Sequence, residues 1–261
     1  MGFPIQIGVQ LTPQHASYGQ LRGAAARAEE AGVDAIFNWD HFQPLGGDPE
    51  GAHFECWTML AAWAEQTERV QLGPLVSAIG YRNPDLLADM ARTVDHISGG
   101  RLILGVGAGF KEREYLSYGY DFPNVRERLD GLEQGLVRIK SRLVQLNPPP
   151  VRQIPILVAG GGERRSLRIV AEHADIWNTF AEGGDFERKS SVLEDHCRAV
   201  GRDPREIQRS VLVAGDPHQV GEPLRSMGAA LFIVLVHAPY DLETVGRWVA
   251  WRDQVNAAVA Q

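Results

Sequence analysis

Two adjacent residues, Asp40 and His41, have the side chains best suited to acid–base chemistry in this sequence. They follow a short apolar stretch at residues 35–38 that is typical of a β-strand. An imidazole titrates near neutral pH, so His41 could donate or accept a proton, and a neighbouring carboxylate could anchor it by a hydrogen bond. An Asp-His pair is equally compatible with a plain surface or capping role, so both interpretations stay open here.

Two glycine-rich segments follow later apolar stretches and could approach an anion. The glycines of the first segment are Gly105, Gly107 and Gly109, and those of the second are Gly160, Gly161 and Gly162. Glycines at a strand-to-helix turn let backbone N–H groups approach an anion at the positive end of a helix, and Arg164 or Arg165 could add a charge-assisted hydrogen bond. The second segment therefore predicts a phosphate site, with a simple tight turn as the alternative.

Several known catalytic motifs are absent from the sequence. The first glycine segment does not have G-x-G-x-x-G spacing, and no P-loop lysine follows either segment. The histidines form neither an HExxH motif nor a two-histidine, one-carboxylate pattern, so no metal site is predicted. The lack of a G-x-S-x-G elbow argues against a serine hydrolase of the α/β type. These exclusions leave His41 as the main catalytic candidate.

Eight apolar, β-branched stretches are predicted to be strands, and segments of helical period separate them. The predicted strands are residues 5–11, 35–38, 70–77, 102–106, 154–159, 176–179, 207–213 and 230–236. The predicted helices are residues 18–31, 55–66, 84–98, 125–146, 164–172, 186–200, 220–227 and 242–258. Strands that are apolar almost throughout and alternate with helices indicate a parallel sheet buried on both faces.

Eight such units fit a closed α/β barrel, the (β/α)8 or TIM barrel, better than an open sheet. An open doubly wound sheet is the alternative, because hydrophobic periodicity does not report closure. No repeat or domain-separating linker is visible, and the three prolines at 148–150 are expected to end a long helix, so residues 1–261 are predicted to form a single domain. Functional groups of such barrels lie at the C-terminal ends of the strands, where Asp40, His41 and the glycine segments are expected.

The composition of the chain narrows the possible binding partners of the protein and its expected location in the cell. The 261 residues carry a formal net charge of −7, with 44% hydrophobic and 23% charged residues, as in ordinary folded proteins. The acidic balance and the lack of a Lys/Arg block argue against nucleic acid as a partner. Without a bilayer-length apolar run or a basic N-terminal region, no membrane contact is predicted and the expected location is the cytoplasm. Cys56 and Cys197 lack metal-ligand spacing and are expected to be reduced and structural.

Short blocks spread over most of the chain carry a family signature. They lie at residues 40–42, 80–84, 98–110, 114–128, 157–162 and 174–178. Taken together, these blocks resemble the bacterial luciferase-like monooxygenase superfamily, and specifically its branch that uses the deazaflavin coenzyme F420. The blocks DHF at 40–42 and SGGRLILGVGAGF at 98–110, in this order, are specific to the superfamily.

The resemblance implies a barrel with a flavin or deazaflavin bound across the C-terminal mouth. Asp40 and His41 are then expected at the tricyclic ring, and the third strand is expected to bulge at a non-proline cis peptide bond near Leu75 and Val76. The glycines at 160–162 are expected to hold the phosphate. The full set of residues expected to bind the cofactor is Asp40, Leu75, Val76, Gly107, Gly109, Gly160, Gly161, Gly162 and Arg164.

The chemistry implied by the resemblance is hydride transfer between the deazaflavin and a small-molecule substrate, with His41 as the proton partner. The leading hypothesis is therefore a coenzyme F420-dependent oxidoreductase. An FMN-dependent monooxygenase is the first alternative, because the same barrel mouth serves both cofactors. A non-catalytic flavin- or deazaflavin-binding protein is the second. Members of the family commonly dimerise through helices on the side of the barrel, so a homodimer is expected.

The sequence departs from the sugar-phosphate dehydrogenases of this branch at two positions. Those enzymes carry a tryptophan where this chain has Leu45, and a catalytic glutamate where it has Phe110. Oxidation of glucose 6-phosphate is therefore not expected, and Phe110 predicts a more apolar substrate pocket. Glu114 lies one helical turn further along the chain, and the role of the catalytic acid is not transferred to it.

Overall fold

The strands of the computed structural model close into a barrel. The structure describes residues 3–180 and 185–259, and within these residues eight parallel strands pair in chain order, with the eighth pairing back to the first. They are β1 (Gln6–Leu11), β2 (Ala35–Asp40), β3 (Gln71–Ala78), β4 (Leu104–Gly107), β5 (Ile156–Ala159), β6 (Ile176–Phe180), β7 (Gln208–Val213) and β8 (Ala229–Val236). The predicted (β/α)8 barrel is thus confirmed, and the open sheet is excluded.

Helices surround this barrel. Over the described part of the chain they are α1 (Tyr18–Glu30), α2 (Cys56–Gln66), α3 (Pro84–Ile97), α4 (Glu112–Ser117), α5 (Val125–Gln145), α6 (Ser166–His173), α7 (Asp185–Ala199), α8 (Glu222–Ser226) and α9 (Glu243–Val259). Each predicted strand and helix begins and ends within two residues of an observed one. Sequence analysis missed α4, which is too short to show a helical period. None of the described helices is long and apolar enough to cross a membrane.

Local sequence explains where the helices begin. Ser17 caps α1 and accepts a hydrogen bond from the backbone N–H of Gln20, whose side chain bonds back to Ser17. Asn124 and Glu127 form the same reciprocal arrangement at the start of α5. Such capping boxes satisfy backbone N–H groups that have no partner within the helix.

The strands divide the apolar residues between the barrel interior and the surrounding helices. The interior cluster comprises Ala35, Phe37, Leu75, Ile103, Leu157, Ile176, Leu231 and Ile233. Ile36 belongs instead to the cluster between strands and helices, and Asn38 bonds to the carbonyl oxygen of Cys56 in α2. Since side chains alternate along a strand, Trp39 is on the same face of β2 as Ala35 and Phe37, and Asp40 is on the opposite face. Cys56 and Cys197 are buried free thiols, as expected.

Strand β3 is irregular where the family resemblance predicts it. Its pairing with β2 shifts register beside Asn38 and Asp40, and the peptide bond between Leu75 and Val76 is cis. The amide of Gln10 donates a hydrogen bond of 2.8 Å to the carbonyl oxygen of Leu75, at the top of the barrel interior. The predicted bulge and cis peptide bond are therefore both present.

Two glycines allow β3 and β4 to approach each other closely. A Cβ atom at Gly73 would overlap the carbonyl oxygen of Ile103, and a Cβ atom at Gly105 would overlap the carbonyl oxygen of Pro74. In each case the obstructing atom is backbone, which cannot rotate away as a side chain can. The backbone of the barrel at this level therefore requires glycine in both strands.

We expect the Gly105→Ala variant to lose about 3 kcal/mol of unfolding free energy, because an added methyl group forces the packed backbone apart. Urea denaturation followed by circular dichroism measures the loss. Gly246→Ala in α9 is the control, because nothing lies within 4 Å of its added Cβ atom. The control should gain up to about 1 kcal/mol from helix propensity. Equal stability of Gly105→Ala and the wild type would contradict a rigid close approach.

Candidate functional site

His41 lies immediately after β2 at the C-terminal end of the barrel, which we call the mouth. Its side chain is largely buried, with 12% exposed, and its Nδ1 atom lies 2.7 Å from Oε2 of Glu114. The ring packs edge-on between Trp39, at a centroid distance of 6.0 Å, and Phe110, at 5.5 Å. A histidine held in this way presents a defined orientation to the mouth.

Glu114 is fully buried in α4 and uses both carboxylate oxygens as hydrogen-bond acceptors. Oε2 accepts from His41 and from the hydroxyl of Tyr81, each at 2.7 Å. Oε1 accepts from the backbone N–H groups of Phe42 and Gln43, at 3.3 and 3.2 Å. One side chain thus fixes both the imidazole and the backbone that follows it.

The hydrogen bonds to Glu114 determine its charge. Burial raises the pKa of Glu114, but the hydrogen bonds from His41, Tyr81 and the backbone of Gln43 lower it by more, so the net shift is downward. Burial and the hydrogen bond to Glu114 raise the pKa of Tyr81, which therefore remains a neutral donor. An ionised carboxylate can only accept, so the Nδ1 atom of His41 carries the proton of this hydrogen bond. The Nε2 atom is left to exchange a proton at the mouth.

Sequence reasoning set Glu114 aside, and the structure gives it a different role from the one considered. Because Glu114 is fully buried, it does not face a substrate as an acid; it contacts His41 instead. In the sequence, only the position of Glu114 beside Tyr115, in the segment after the fourth strand, could have drawn attention to it. That position does not predict the contact with His41, because the two residues are 73 positions apart in the chain.

The side chain of Asp40 lies on the outer face of β2. Its carboxylate binds the guanidinium of Arg82 with both oxygens, and Arg82 also binds Glu55 at 2.9 Å. Burial raises the pKa of Asp40 and the charge and hydrogen bonds of Arg82 lower it, and the net shift is upward. The carboxylate is thus turned away from the mouth, and any contact of Asp40 with a cofactor would involve its backbone.

Other predicted residues do meet at the mouth. Val76, with Ala159 and Leu212, is partly buried against the interior cluster that contains Leu75. A Cβ atom at Gly107 would lie 2.8 Å from Cγ2 of Val76, so this glycine keeps the space above Val76 open. The structure therefore brings Leu75, Val76 and Gly107 together.

Gly109 has a different orientation from Gly107. It adopts a left-handed backbone conformation with φ of 77°, and an added Cβ atom would overlap the hydroxyl of Tyr115 rather than point toward the mouth. Its carbonyl oxygen accepts a hydrogen bond of 3.1 Å from Arg128. These contacts give Gly109 a role in the turn after β4, and its predicted contact with the cofactor stays a prediction.

The second glycine segment, residues 160–162, connects β5 to the turn that precedes α6. A Cβ atom at Gly161 would lie 3.0 Å from Nζ of Lys189 and 3.3 Å from Oγ1 of Thr179. The ammonium of Lys189 is also 3.3 Å from Oδ2 of Asp185. A cation and a hydroxyl thus face the glycine backbone, which is a suitable arrangement for a phosphate.

The arginines predicted beside this segment have other surroundings. Arg164 is exposed in the turn before α6. Arg165 binds Asp130 at 2.6 Å and Glu133 at 3.3 Å, and so faces α5. Sequence reasoning missed Lys189 and Thr179, which come from different elements; only the position of Thr179 at a predicted strand end could have indicated it.

A second histidine, His53, lies near His41. The indole Nε1 of Trp39 donates a hydrogen bond of 3.0 Å to Nε2 of His53. Burial lowers the pKa of His53 to about 4, with smaller contributions from His41 and His15, which lower it, and Glu114, which raises it. His53 is therefore neutral at physiological pH.

We expect His53 to make the protein less stable as the pH falls from 6.5 to 4. The unfolded chain binds a proton on His53 below its ordinary pKa of 6.5, whereas the folded protein does so only near 4. The unfolded state is therefore favoured across this interval, by up to about 3 kcal/mol at its lower end. Urea denaturation at a series of pH values should show a shallower decline for His53→Gln. Parallel curves for the variant and the wild type would contradict the assignment.

The structure contains no apparent metal site in residues 3–180 or 185–259. No group of three or more His, Cys, Asp or Glu side chains there could hold a metal ion. The arrangement at the mouth instead combines a histidine held by a buried carboxylate, the partly buried side chain of Val76 and a glycine backbone beside a lysine. Such a set can orient a planar ring and move a proton next to it.

The chain is similar in sequence to known proteins. A family model described as luciferase-like monooxygenase matches residues 1–220. An F420-dependent glucose-6-phosphate dehydrogenase of Kineococcus radiotolerans is 27% identical, over 99% of the chain and 87% of the relative. A protein of the same description from Amycolatopsis mediterranei is 30% identical, over 65% of the chain but 54% of the relative.

A similar fold is found among solved structures. An F420-dependent secondary alcohol dehydrogenase, in complex with an F420-acetone adduct, superposes with a TM-score of 0.81. The superposition covers 96% of this chain and 98% of that structure, at 17% sequence identity. At this identity the likeness concerns the fold, which is the closed barrel described above.

Proposed function

Because the chain belongs to the luciferase-like monooxygenase family, we propose that it is a coenzyme F420-dependent oxidoreductase that acts on a small organic substrate. The observation that carries the proposal is the contact of His41 with Glu114 at the mouth of the barrel, 2.7 Å between Nδ1 and Oε2. Relatives described as F420-dependent support the choice of cofactor.

The residues around the mouth fit a deazaflavin with a phosphate-bearing tail. Gly107 leaves the partly buried Val76 uncovered, which gives a planar ring an apolar surface to lie on. The backbone at Gly161 lies beside the Lys189 ammonium and the Thr179 hydroxyl, in a space that a Cβ atom would fill. We propose that Leu75, Val76 and Gly107 contact the ring and that residues 160–162, with Lys189 and Thr179, bind the phosphate.

In the proposed mechanism, His41 exchanges a proton with the substrate through Nε2. Coenzyme F420, when bound, supplies a carbon centre that gives or takes a hydride. Glu114 holds the Nδ1–H of His41, which fixes the ring and leaves Nε2 free. When His41 is protonated, the carboxylate 2.7 Å away stabilises the positive charge. The same histidine serves as an acid in reduction and as a base in oxidation.

Titration of the purified apoprotein with F420 and FMN, side by side, tests the proposal. We expect tight binding of F420, slow reaction of the reduced complex with oxygen, and hydride transfer to or from a substrate found in a redox screen. Tight FMN binding with oxygen-dependent turnover would instead establish a flavin monooxygenase. F420 affinity without activity in an exhaustive screen would leave a cofactor-binding protein without turnover.

The phosphate site gives a separate prediction. We expect Gly161→Val to weaken F420 binding about 10-fold, because the side chain fills the space beside Lys189 and displaces a charge-assisted contact. Binding of the ring fragment that lacks the phosphate should change less than about 2-fold. Fluorescence titration of both ligands measures the two effects, with Gly246→Val in α9 as the control. Equal losses for the two ligands would place the phosphate elsewhere.

The assembly is proposed from the family resemblance. We propose a homodimer formed through helices on the side of the barrel. A groove of about 560 Å³ between α2 and α3, beside the exposed side chains of Leu86 and Ile97, offers an apolar surface for this contact. Sedimentation showing monomers alone would contradict the dimer without affecting the site. The single domain and the cytoplasmic location remain predictions.

A further inference from the structure

One carboxylate oxygen, Oε2 of Glu114, is shared by two donors of different kinds. It accepts the Nδ1–H of His41 and the phenol O–H of Tyr81, both at 2.7 Å. Of these two donors, only the imidazole titrates near neutral pH, because burial and the hydrogen bond to Glu114 raise the pKa of Tyr81. Tyr81 is therefore a permanent donor that competes with His41 for the same oxygen atom.

Packing holds the ring of Tyr81 in place independently of its hydroxyl group. The side chain is buried and packs against Phe42 and Tyr115, at ring-centroid distances of 4.3 and 4.7 Å. Tyr81 ends the single turn of 3-10 helix at Ile79–Tyr81, which directly follows β3. Since the barrel and its aromatic neighbours fix the ring, we expect removal of the hydroxyl alone to leave the ring where it is.

The hydrogen bond from Tyr81 reduces the negative charge that Glu114 presents to His41. Burial raises the pKa of Glu114, and the hydrogen bond from Tyr81 is among the contacts that lower it. A donor to the ionised form lowers the pKa of a carboxyl group because it stabilises the negative charge. A carboxylate stabilised in this way has less affinity for a further proton, so it also stabilises a protonated imidazole less.

The other charged groups around this pair do not share the oxygen atom. On β2, the carboxylate of Asp40 is paired with the guanidinium of Arg82. Burial lowers the pKa of His53 to about 4, so this histidine is neutral at physiological pH. On α4, Glu112 and Arg113 are exposed to solvent. Among the described residues, the side-chain donors to Glu114 are the imidazole and the phenol described above.

We propose that Tyr81 is a positioning residue whose phenol O–H weakens the hydrogen bond between Nδ1–H of His41 and Glu114, and thereby keeps protonated His41 able to release a proton from Nε2. The inference rests on the proposed function, since it concerns the acid strength of the same histidine. Without the phenol O–H, Oε2 presents more negative charge to Nδ1, and His41 keeps its second proton to higher pH.

Nitrogen-15 NMR of the apoprotein tests the proposal with Tyr81→Phe, which removes only the hydroxyl group. We expect the titration midpoint of His41 to move to higher pH by about 0.5 to 1 unit, because a donor to the neighbouring carboxylate is lost. The Nδ1–H proton should resonate further downfield than in the wild type, because its hydrogen bond becomes stronger.

Tyr115→Phe is the matched control. Tyr115 belongs to the same aromatic cluster, and burial raises its pKa to about 12, so its hydroxyl is neutral like that of Tyr81. Among the described residues, however, this hydroxyl has no hydrogen-bond partner. Its removal should therefore leave both His41 signals at their wild-type positions.

The pH profile of kcat gives a second readout on the protein loaded with F420. In the direction of reduction His41 serves as the acid, so kcat falls where His41 loses its second proton. We expect this fall to occur at higher pH in Tyr81→Phe, by the same 0.5 to 1 unit in rough terms. The affinity for F420 should change less than about 2-fold, because no contact of Tyr81 with the cofactor is proposed.

The two readouts separate this proposal from the one on which it rests. An unmoved or lowered His41 midpoint in Tyr81→Phe, or equal shifts in Tyr81→Phe and Tyr115→Phe, would overturn the role of Tyr81. Absence of F420 binding in the wild type contradicts the proposed function, while the NMR titration still decides what Tyr81 does to His41. Turnover with F420 and an unmoved pH profile in Tyr81→Phe contradicts the role of Tyr81 alone.

Discussion

The His41→Ala protein is expected to turn over its substrate about 10²- to 10³-fold more slowly than the wild type, because alanine removes the only proton-exchanging group proposed at the mouth. The affinity for F420 should change by no more than several-fold, since the ring contacts proposed for Leu75, Val76 and Gly107 remain. Stopped-flow absorbance of the deazaflavin, with a substrate from the redox screen, gives the rate of hydride transfer.

Two further measurements define the role of His41. His96→Ala is the matched control, because this histidine is exposed and, within the described residues, its side chain bonds only to the carbonyl oxygen of Pro149, at 2.8 Å. Added imidazole should restore part of the activity of His41→Ala, since the small molecule can enter the space that the side chain leaves. Unchanged rates in His41→Ala would remove His41 from catalysis.

Glu114→Gln is expected to lower kcat about 10²-fold with little change in F420 affinity. The amide is nearly the same size but carries no charge, so it no longer stabilises a protonated His41, and its NH2 group competes with the donors that now meet at the carboxylate. The exposed Glu112 lies on the same helix, and Glu112→Gln is therefore the matched control.

A purely structural role for Glu114 would give a different result. It would lower the activity by the same factor at every pH and would lower the unfolding temperature in proportion. A role in positioning His41 changes the shape of the pH profile of kcat, because a charge next to the proton-exchanging group is lost. A flat reduction at all pH values would contradict the positioning role.

The barrel could be predicted from the sequence because its signals are local. Strands buried on both faces are continuously apolar, and glycines or capping residues mark the helix ends. Since the C-terminal ends of barrel strands form the mouth, the position of His41 followed from the order of elements alone. The outward direction of the Asp40 side chain could also have been predicted, because side chains alternate along a strand and Ala35 and Phe37 point inward.

The partners of these residues could not be predicted in the same way. Glu114 and Lys189 reach the mouth from α4 and α7, and their contacts arise only when the barrel closes and the helices pack. Periodicity reports which face of an element is apolar, but it contains no information on which buried polar group meets which. Six-residue α4 has too few turns for any period to show.

Glu114 is buried behind His41, so residue 110 takes no part in the hydrogen bond between His41 and Glu114. In the sugar-phosphate dehydrogenases that this sequence resembles, an acid at that position is expected to take part in the reaction, whereas Phe110 here packs against the imidazole ring in a T-shaped arrangement. Substitutions at residue 110 can therefore change the shape of the space beside His41 without removing the hydrogen bond between His41 and Glu114. Diversification of residue 110 offers a route to new substrate preferences at little cost to the underlying catalyst.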